Sequence, residues 1–92
     1  MQFLVIERFR DGNPIPVYER FDKEGRLMPD DIQYVSSWVT EDCSTCYQIM
    51  EAPTKDSLNP WIEAWSDLVD FEVIPVLSSQ EARAKVLGNN KK

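Results

Sequence analysis

Two glutamates stand where an apolar strand pattern breaks off, and they are the first residues here whose chemistry invites a role. Glu7 follows Phe3-Leu4-Val5-Ile6, and Glu51 closes Cys46-Tyr47-Gln48-Ile49-Met50. With the two strands adjacent and running parallel, both carboxylates are expected near the same end of a sheet. The parities Phe3-Val5-Glu7 and Tyr47-Ile49-Glu51 allow them a common face. Two close carboxylates cannot both ionise freely, so one pKa rises and the pair becomes an acid and a base. The plainer expectation is that each carboxylate reaches solvent at the rim, or that Glu7 pairs with a nearby arginine.

A second group is aromatic. Tyr34, Trp38, Tyr47, Trp61 and Trp65 could wall a pocket between sheet and helices for a flat apolar ligand. Trp61 and Trp65 are more simply read as the core of a small domain, whereas the polar tips of Tyr34 and Trp38 suit a cavity lining equally well. Arg8, inside an apolar strand, could bind a ligand carboxylate, or pair with Glu72 on a neighbouring strand. The acids Asp67, Asp70 and Glu72 read as a solvated edge, since a calcium loop needs a denser oxygen cluster and a glycine turn.

Cys43 and Cys46 spell C-x-x-C. A redox pair of this spacing belongs at a helix N-terminus, where the dipole lowers the thiol pKa. Here it lies in a turn entering a strand, and in extended chain the two side chains face opposite ways. A zinc site needs two further ligands that the sequence does not supply. Cys46 is expected as a small core residue. The chain contains no histidine, which excludes Ser-His and Cys-His catalysis and the commonest metal and haem ligand. No metal and no cofactor is expected.

Sixteen acids against ten bases give a formal charge of −6. Phosphate-binding surfaces need clustered lysine and arginine, and the one basic pair, Lys91-Lys92, ends the chain. Nucleic acid and an anionic membrane surface are not expected partners. No apolar run approaches the roughly 20 residues that span a bilayer, and the opening residues enter a strand pattern without a basic leader. A cytoplasmic location is the default expectation.

These residues need elements to position them. Gln2 to Phe9 reads as a strand. Asn13 can cap a helix that Pro14 opens, with Val17, Tyr18 and Phe21 on its apolar side and Gly25 as its stop. Ile32 to Val39 is a second strand and Cys46 to Met50 a third, with Cys43 as an alternative start, joined as a hairpin. Leu58, Trp61, Trp65 and Leu68 form one helical stripe, capped by Asp56 or by Asn59 with Pro60 as first helical residue. Asp70 to Leu77 is a fourth strand, with Pro75 pointing to an edge position or a strand end. Ser78-Ser79-Gln80-Glu81 opens a short last helix that ends at Gly88. Residues 1–88 form one domain, and 89–92 are expected as a disordered tail.

The order is β-α-β-β-α-β, the ferredoxin-like layout of an α+β protein: a four-stranded antiparallel sheet with two helices on one face. A sheet with one wet face alternates apolar and polar residues. Here the first, second and fourth strands are apolar on both parities, and two helices cover only one face. A second copy related by twofold symmetry is the expected cover; the alternative is that the C-terminal helix folds back.

Val5-Ile6-Glu7-Arg8-Phe9, Pro16-Val17-Tyr18, Tyr34-Val35-Ser36-Ser37-Trp38, Cys46-Tyr47-Gln48-Ile49-Met50-Glu51 and Trp65-Ser66-Asp67-Leu68-Val69-Asp70-Phe71-Glu72-Val73-Ile74-Pro75-Val76 resemble a family of short, mostly bacterial proteins classed as a domain of unknown function. The resemblance covers about residues 2–77. It implies a dimeric α/β barrel, two ferredoxin-like sheets face to face, and no established activity. The expected function is binding of a small apolar or aromatic molecule, between sheet and helices or in the dimer barrel, through Tyr34, Trp38, Tyr47 and Arg8. The alternatives are a structural or regulatory dimerisation module and a cofactor-independent monooxygenase- or isomerase-like enzyme. A binding protein should hold a lined cavity of a few hundred Å³ and a structural module should be packed solid.

Overall fold

The computed structural model describes residues 1–88. The element order is β1 (Gln2–Phe9), α1 (Ile15–Glu24), β2 (Gln33–Val39), β3 (Thr45–Glu51), α2 (Asn59–Trp65), β4 (Val69–Val76) and α3 (Ser79–Gly88). The four strands form one sheet in the order β2-β3-β1-β4, with every neighbouring pair antiparallel. This matches the ferredoxin-like layout read from the sequence. The expected tail, 89–92, lies outside the described residues. Among the described residues no helix is long and apolar enough to cross a membrane.

Local chemistry explains the element ends. The Asn13 side chain accepts a hydrogen bond from Ile15 N at 3.1 Å, satisfying one of the free N–H groups that open α1. Gly25 closes the helix at φ 71°, a left-handed conformation that glycine adopts without a Cβ clash. The start of α2 differs from both sequence expectations. Neither Asp56 nor Asn59 caps it. A 3-10 turn over Lys55–Leu58 precedes it, closed by a reciprocal capping box between Thr54 and Ser57, and Pro60 sits within the first helical turn, where its missing N–H costs nothing. Replacing Thr54 by alanine should lower stability by about 1 kcal/mol in a urea titration, with Ser57→Ala additive to less than the sum because the box is shared.

One face of the sheet carries the core. Phe3, Val5 and Phe9 of β1, Cys46 and Met50 of β3, and Val69 of β4 pack with Val17, Leu58, Trp61 and Trp65 from the helices. Arg20 of α1 ties the two helices together. Its guanidinium reaches Ala64 O at 3.0 Å and both carboxylate oxygens of Asp67 at 2.8 and 2.7 Å, and stacks on Trp65 at 5.4 Å.

The other face is open. Leu4 and Ile6 of β1, Trp38 of β2, Tyr47 and Ile49 of β3, and Ile74 of β4 share it by register. Trp38 is 74% exposed, an unusual state for the largest apolar side chain. The C-terminal helix does not fold back over this face: α3 has no buried residue. A reciprocal pair of hydrogen bonds between Ser78 and Glu81 opens α3, as its sequence promised.

Candidate functional site

The paired-carboxylate arrangement does not form. Strands β1 and β3 are adjacent but antiparallel, so Glu7 lies opposite Cys46 while Glu51 lies opposite Gln2. Five strand positions, about 17 Å, separate the two along the sheet. Their faces also differ. Glu7 is buried among the core side chains, and Glu51 is exposed at the far end. The error is one of direction. In a β-α-β unit the crossover makes β1 parallel to β2, and the hairpin then turns β3 back against both.

Glu7 alone is the centre of the site. It follows Phe3 and Val5 on the helix-facing parity and is only 7% exposed. Gln48, buried on the same face, donates a hydrogen bond from Nε2 to Glu7 Oε2. Burial in this apolar setting raises the Glu7 pKa to about 7, against the smaller opposing effects of the Gln48 hydrogen bond and the Arg26 charge. A carboxyl poised near neutral pH can hold or release a proton under physiological conditions, the property that general acids and bases need.

Around it lies a cavity of about 100 Å³, lined by Glu7, Gln48 and Cys46 below, Tyr18 and Phe21 of α1, Trp61 and Trp65 of α2, and Arg26 of the α1–β2 connection. The domain is thus not packed solid there, but the space is smaller than the few hundred Å³ expected of a site for a drug-sized molecule. It admits a single small ring.

The walls are fixed by specific contacts. Phe9 and Tyr18 meet edge to face at 6.2 Å, and Trp61 and Phe71 at 5.5 Å. The Trp65 indole N–H donates to Arg26 O at 2.9 Å, which pins the connection against α2. The Arg26 guanidinium then stacks over the Tyr34 ring at 3.8 Å and the Phe21 ring at 5.1 Å. Burial, with a further push from the Glu7 charge, raises the Cys46 thiol to about 12. It is a protonated wall residue and not a nucleophile. The Tyr18 phenol is likewise pushed up, first by desolvation and then by Cys46, Cys43 and Glu7.

The remaining residues singled out from the sequence are dispersed. Trp38 and Tyr47 face each other across β2 and β3 on the open face, on the opposite side of the sheet from Trp61 and Trp65. They do not wall the cavity. Tyr34 lies outside the lining and supports Arg26, with its hydroxyl 2.6 Å from Ser37 Oγ. Arg8 pairs with Glu72 at 3.1 Å, the plainer of its two expected roles. The acids Asp67, Asp70 and Glu72 are not simply solvated: each holds an arginine, Arg20, Arg10 and Arg8 respectively. Cys43 is exposed and Cys46 buried, both as free thiols.

Gln48 and Arg26, which meet Glu7 in the site, were not singled out by the sequence. Gln48 carried a usable signal, a polar side chain at the same parity as Cys46 and Met50 within an apolar strand. Arg26 carried none, because its position past a helix stop has no periodicity to read.

A four-stranded antiparallel sheet with two helices on one face and a cavity built around a buried carboxyl defines a ferredoxin-like α+β domain with a pocket between sheet and helices. The chain belongs to the family described as domain of unknown function (DUF3303), whose model matches residues 1–89. No curated protein and no solved structure matches it.

Proposed function

We propose that this domain is a homodimeric binding protein that takes a small, largely apolar or aromatic molecule between its sheet and its helices. The observation that carries the reading is the buried Glu7 carboxyl, facing an aromatic-walled cavity instead of solvent. A purely structural core gains nothing from such a group, since an apolar residue of the same size avoids its desolvation. Carboxyls shifted in this way cluster at functional sites. The same group supports a second reading, proton transfer on the bound molecule without a cofactor, with Glu7 as acid or base and the tryptophan walls excluding water.

The dimer is proposed through the open face. Four strands of seven or eight residues present a face on the order of 450 Å² in projection. The side chains standing on it bring the accessible area toward the roughly 800 Å² per partner of a standard interface. A second copy fits this surface because its own open face carries the same apolar rows, flanked by the same Arg8–Glu72 and Arg10–Asp70 pairs. Two sheets face to face would form the α/β barrel.

Native mass spectrometry of freshly purified, undialysed protein tests both parts. A dimer with added mass per subunit is expected. A clean dimer that also leaves Trp61 and Trp65 fluorescence unmoved by a panel of single-ring compounds would return the domain to a structural or regulatory role.

A further inference from the structure

We infer that the molecule bound in this pocket is an anion, a small single-ring or branched aliphatic carboxylate, with Arg26 as its recognition residue and the Glu7 carboxyl as the second polar contact. The inference rests on the pocket being a binding site and adds the charge class of its occupant.

Arg26 carries it. Arg8, Arg10 and Arg20 each hold a carboxylate within 4 Å. Among the described residues Arg26 holds none and its guanidinium donates no hydrogen bond. Yet it is half-buried and lines the cavity. Its position is set from three sides: the rings of Tyr34 and Phe21 stack on its guanidinium, and the backbone oxygen of Arg26 accepts the Trp65 indole N–H. Stacking fixes the plane of the fork but leaves its edge N–H groups free. Such a fork is pre-organised for a bidentate carboxylate.

The natural partner inside the protein would be Glu7, and the structure does not use it. The Glu7 oxygen accepts from the Gln48 amide, and desolvation outweighs the attraction of Arg26. The other faces of the cavity offer Tyr18 from α1 and the Cys46 thiol from β3 as titratable groups, both pushed toward their protonated forms. From α2 come Trp61 and Trp65, and from β2 Ser37 and Val39. The pocket therefore holds one fixed cation, one carboxyl that can be neutral, and no fixed anion. A cationic ligand would meet Arg26 unscreened. A carboxylate would take the guanidinium fork on one side and, with Glu7 protonated, an O–H donor on the other. The volume of about 100 Å³ limits it to one ring.

The test uses the full chain with sodium benzoate as probe and benzamide as its neutral isostere, followed by calorimetry and tryptophan fluorescence. Benzoate is expected to bind about tenfold or more tightly than benzamide, the worth of a charge-assisted hydrogen-bond pair. Arg26→Met should abolish that preference, and Arg26→Lys, which keeps the charge without the fork, should restore it in part. Benzoate affinity should fall as pH rises from about 6 to about 8.5, because Glu7 becomes an anion over that range. Glu7→Gln should flatten the profile, a readout that misfolding would not produce. Equal binding of benzoate and benzamide would overturn the anion assignment and leave the pocket reading intact. Binding of neither at millimolar concentration would remove the pocket reading, and the assignment with it.

Discussion

Glu7→Gln is expected to stabilise the fold by about 3 kcal/mol above pH 8 and to leave it nearly unchanged at pH 4. The figure follows from a folded-state pKa of about 7 against 4.5 for the free group, at about 1.4 kcal/mol per unit. The sign follows from which state holds the proton. Between pH 4.5 and 7 the unfolded chain has released it and the folded chain has not. Unfolding therefore releases a proton, and stability falls as pH rises through that window. Below it both states are neutral and the native residue carries no penalty. Above it the folded chain buries a carboxylate, and the penalty is complete. Exposure of only 7% leaves little solvent to screen it. Glutamine keeps the size and a hydrogen bond to Gln48 but never ionises. Thermal melts at several pH values would show the difference between variant and parent opening between pH 5 and 8, by on the order of 10 °C at the top. Parallel curves with no opening gap would mean that the Glu7 carboxylate is well solvated and the cavity wet.

A destabilising carboxyl where an amide would serve the fold better supports the proposed binding role of Glu7. This is the usual exchange of stability for function. Among the described residues the only other buried polar side chain is Gln48, which donates its hydrogen bond to Glu7. The buried aromatic side chains pack on one another, the Trp65 N–H has its carbonyl, and among the described residues no buried side-chain polar atom lacks a hydrogen-bond partner.

The strands were legible because β-branched and aromatic runs bounded by turn residues are a local signal. The bounds of β1, Gln2 to Phe9, read directly from the residues, and the parity Phe3-Val5-Glu7 already placed Glu7 on the face that proves buried. The stripe Leu58-Trp61-Trp65-Leu68 marked a helix by its spacing, but α2 holds only Trp61 and Trp65, with Leu58 ending the preceding 3-10 turn and Leu68 lying beyond the helix. What failed was non-local. Whether Glu7 meets Glu51 depends on the direction of β3 relative to β1, which alternation along one strand does not carry. The approach of Arg26 to the cavity depends on the path of the chain after Gly25, where Leu27 adopts φ 58°. The division of the aromatics between faces turned on β2, whose register shifts between Tyr34 and Ser36. A single irregularity there puts Tyr34 on the helix side and Trp38 on the open side, so a straight count by twos misassigns one of them.

Trp38→Glu is expected to abolish the proposed dimer while leaving the fold itself nearly as stable. Trp38 is 74% exposed within one chain, beside Tyr47 at 40%, with Ile74 at 37% across the sheet on the same face. Little of its surface is buried by its own domain, so its loss removes little folding free energy. Trp61→Ala, by contrast, empties a core position that is 2% exposed and should cost about 3–5 kcal/mol. In a face-to-face dimer Trp38 is buried by the partner, and tryptophans at interface centres commonly contribute 2 kcal/mol or more. Glutamate adds the desolvation of a charge on each subunit, and twofold symmetry brings the change in twice. Sedimentation at about 10 μM should give a single monomeric species for the variant and a dimer for the parent, with near-identical far-UV spectra, since a loss of about 3 kcal/mol at the interface raises Kd by about two orders of magnitude. A parent chain that sediments as a monomer would leave the open face without its second copy. The Glu7 pocket lies on the opposite side of the sheet, so the two tests fail independently: a monomer that still binds benzoate keeps the site and loses the barrel, and a dimer that binds nothing keeps the barrel and loses the site.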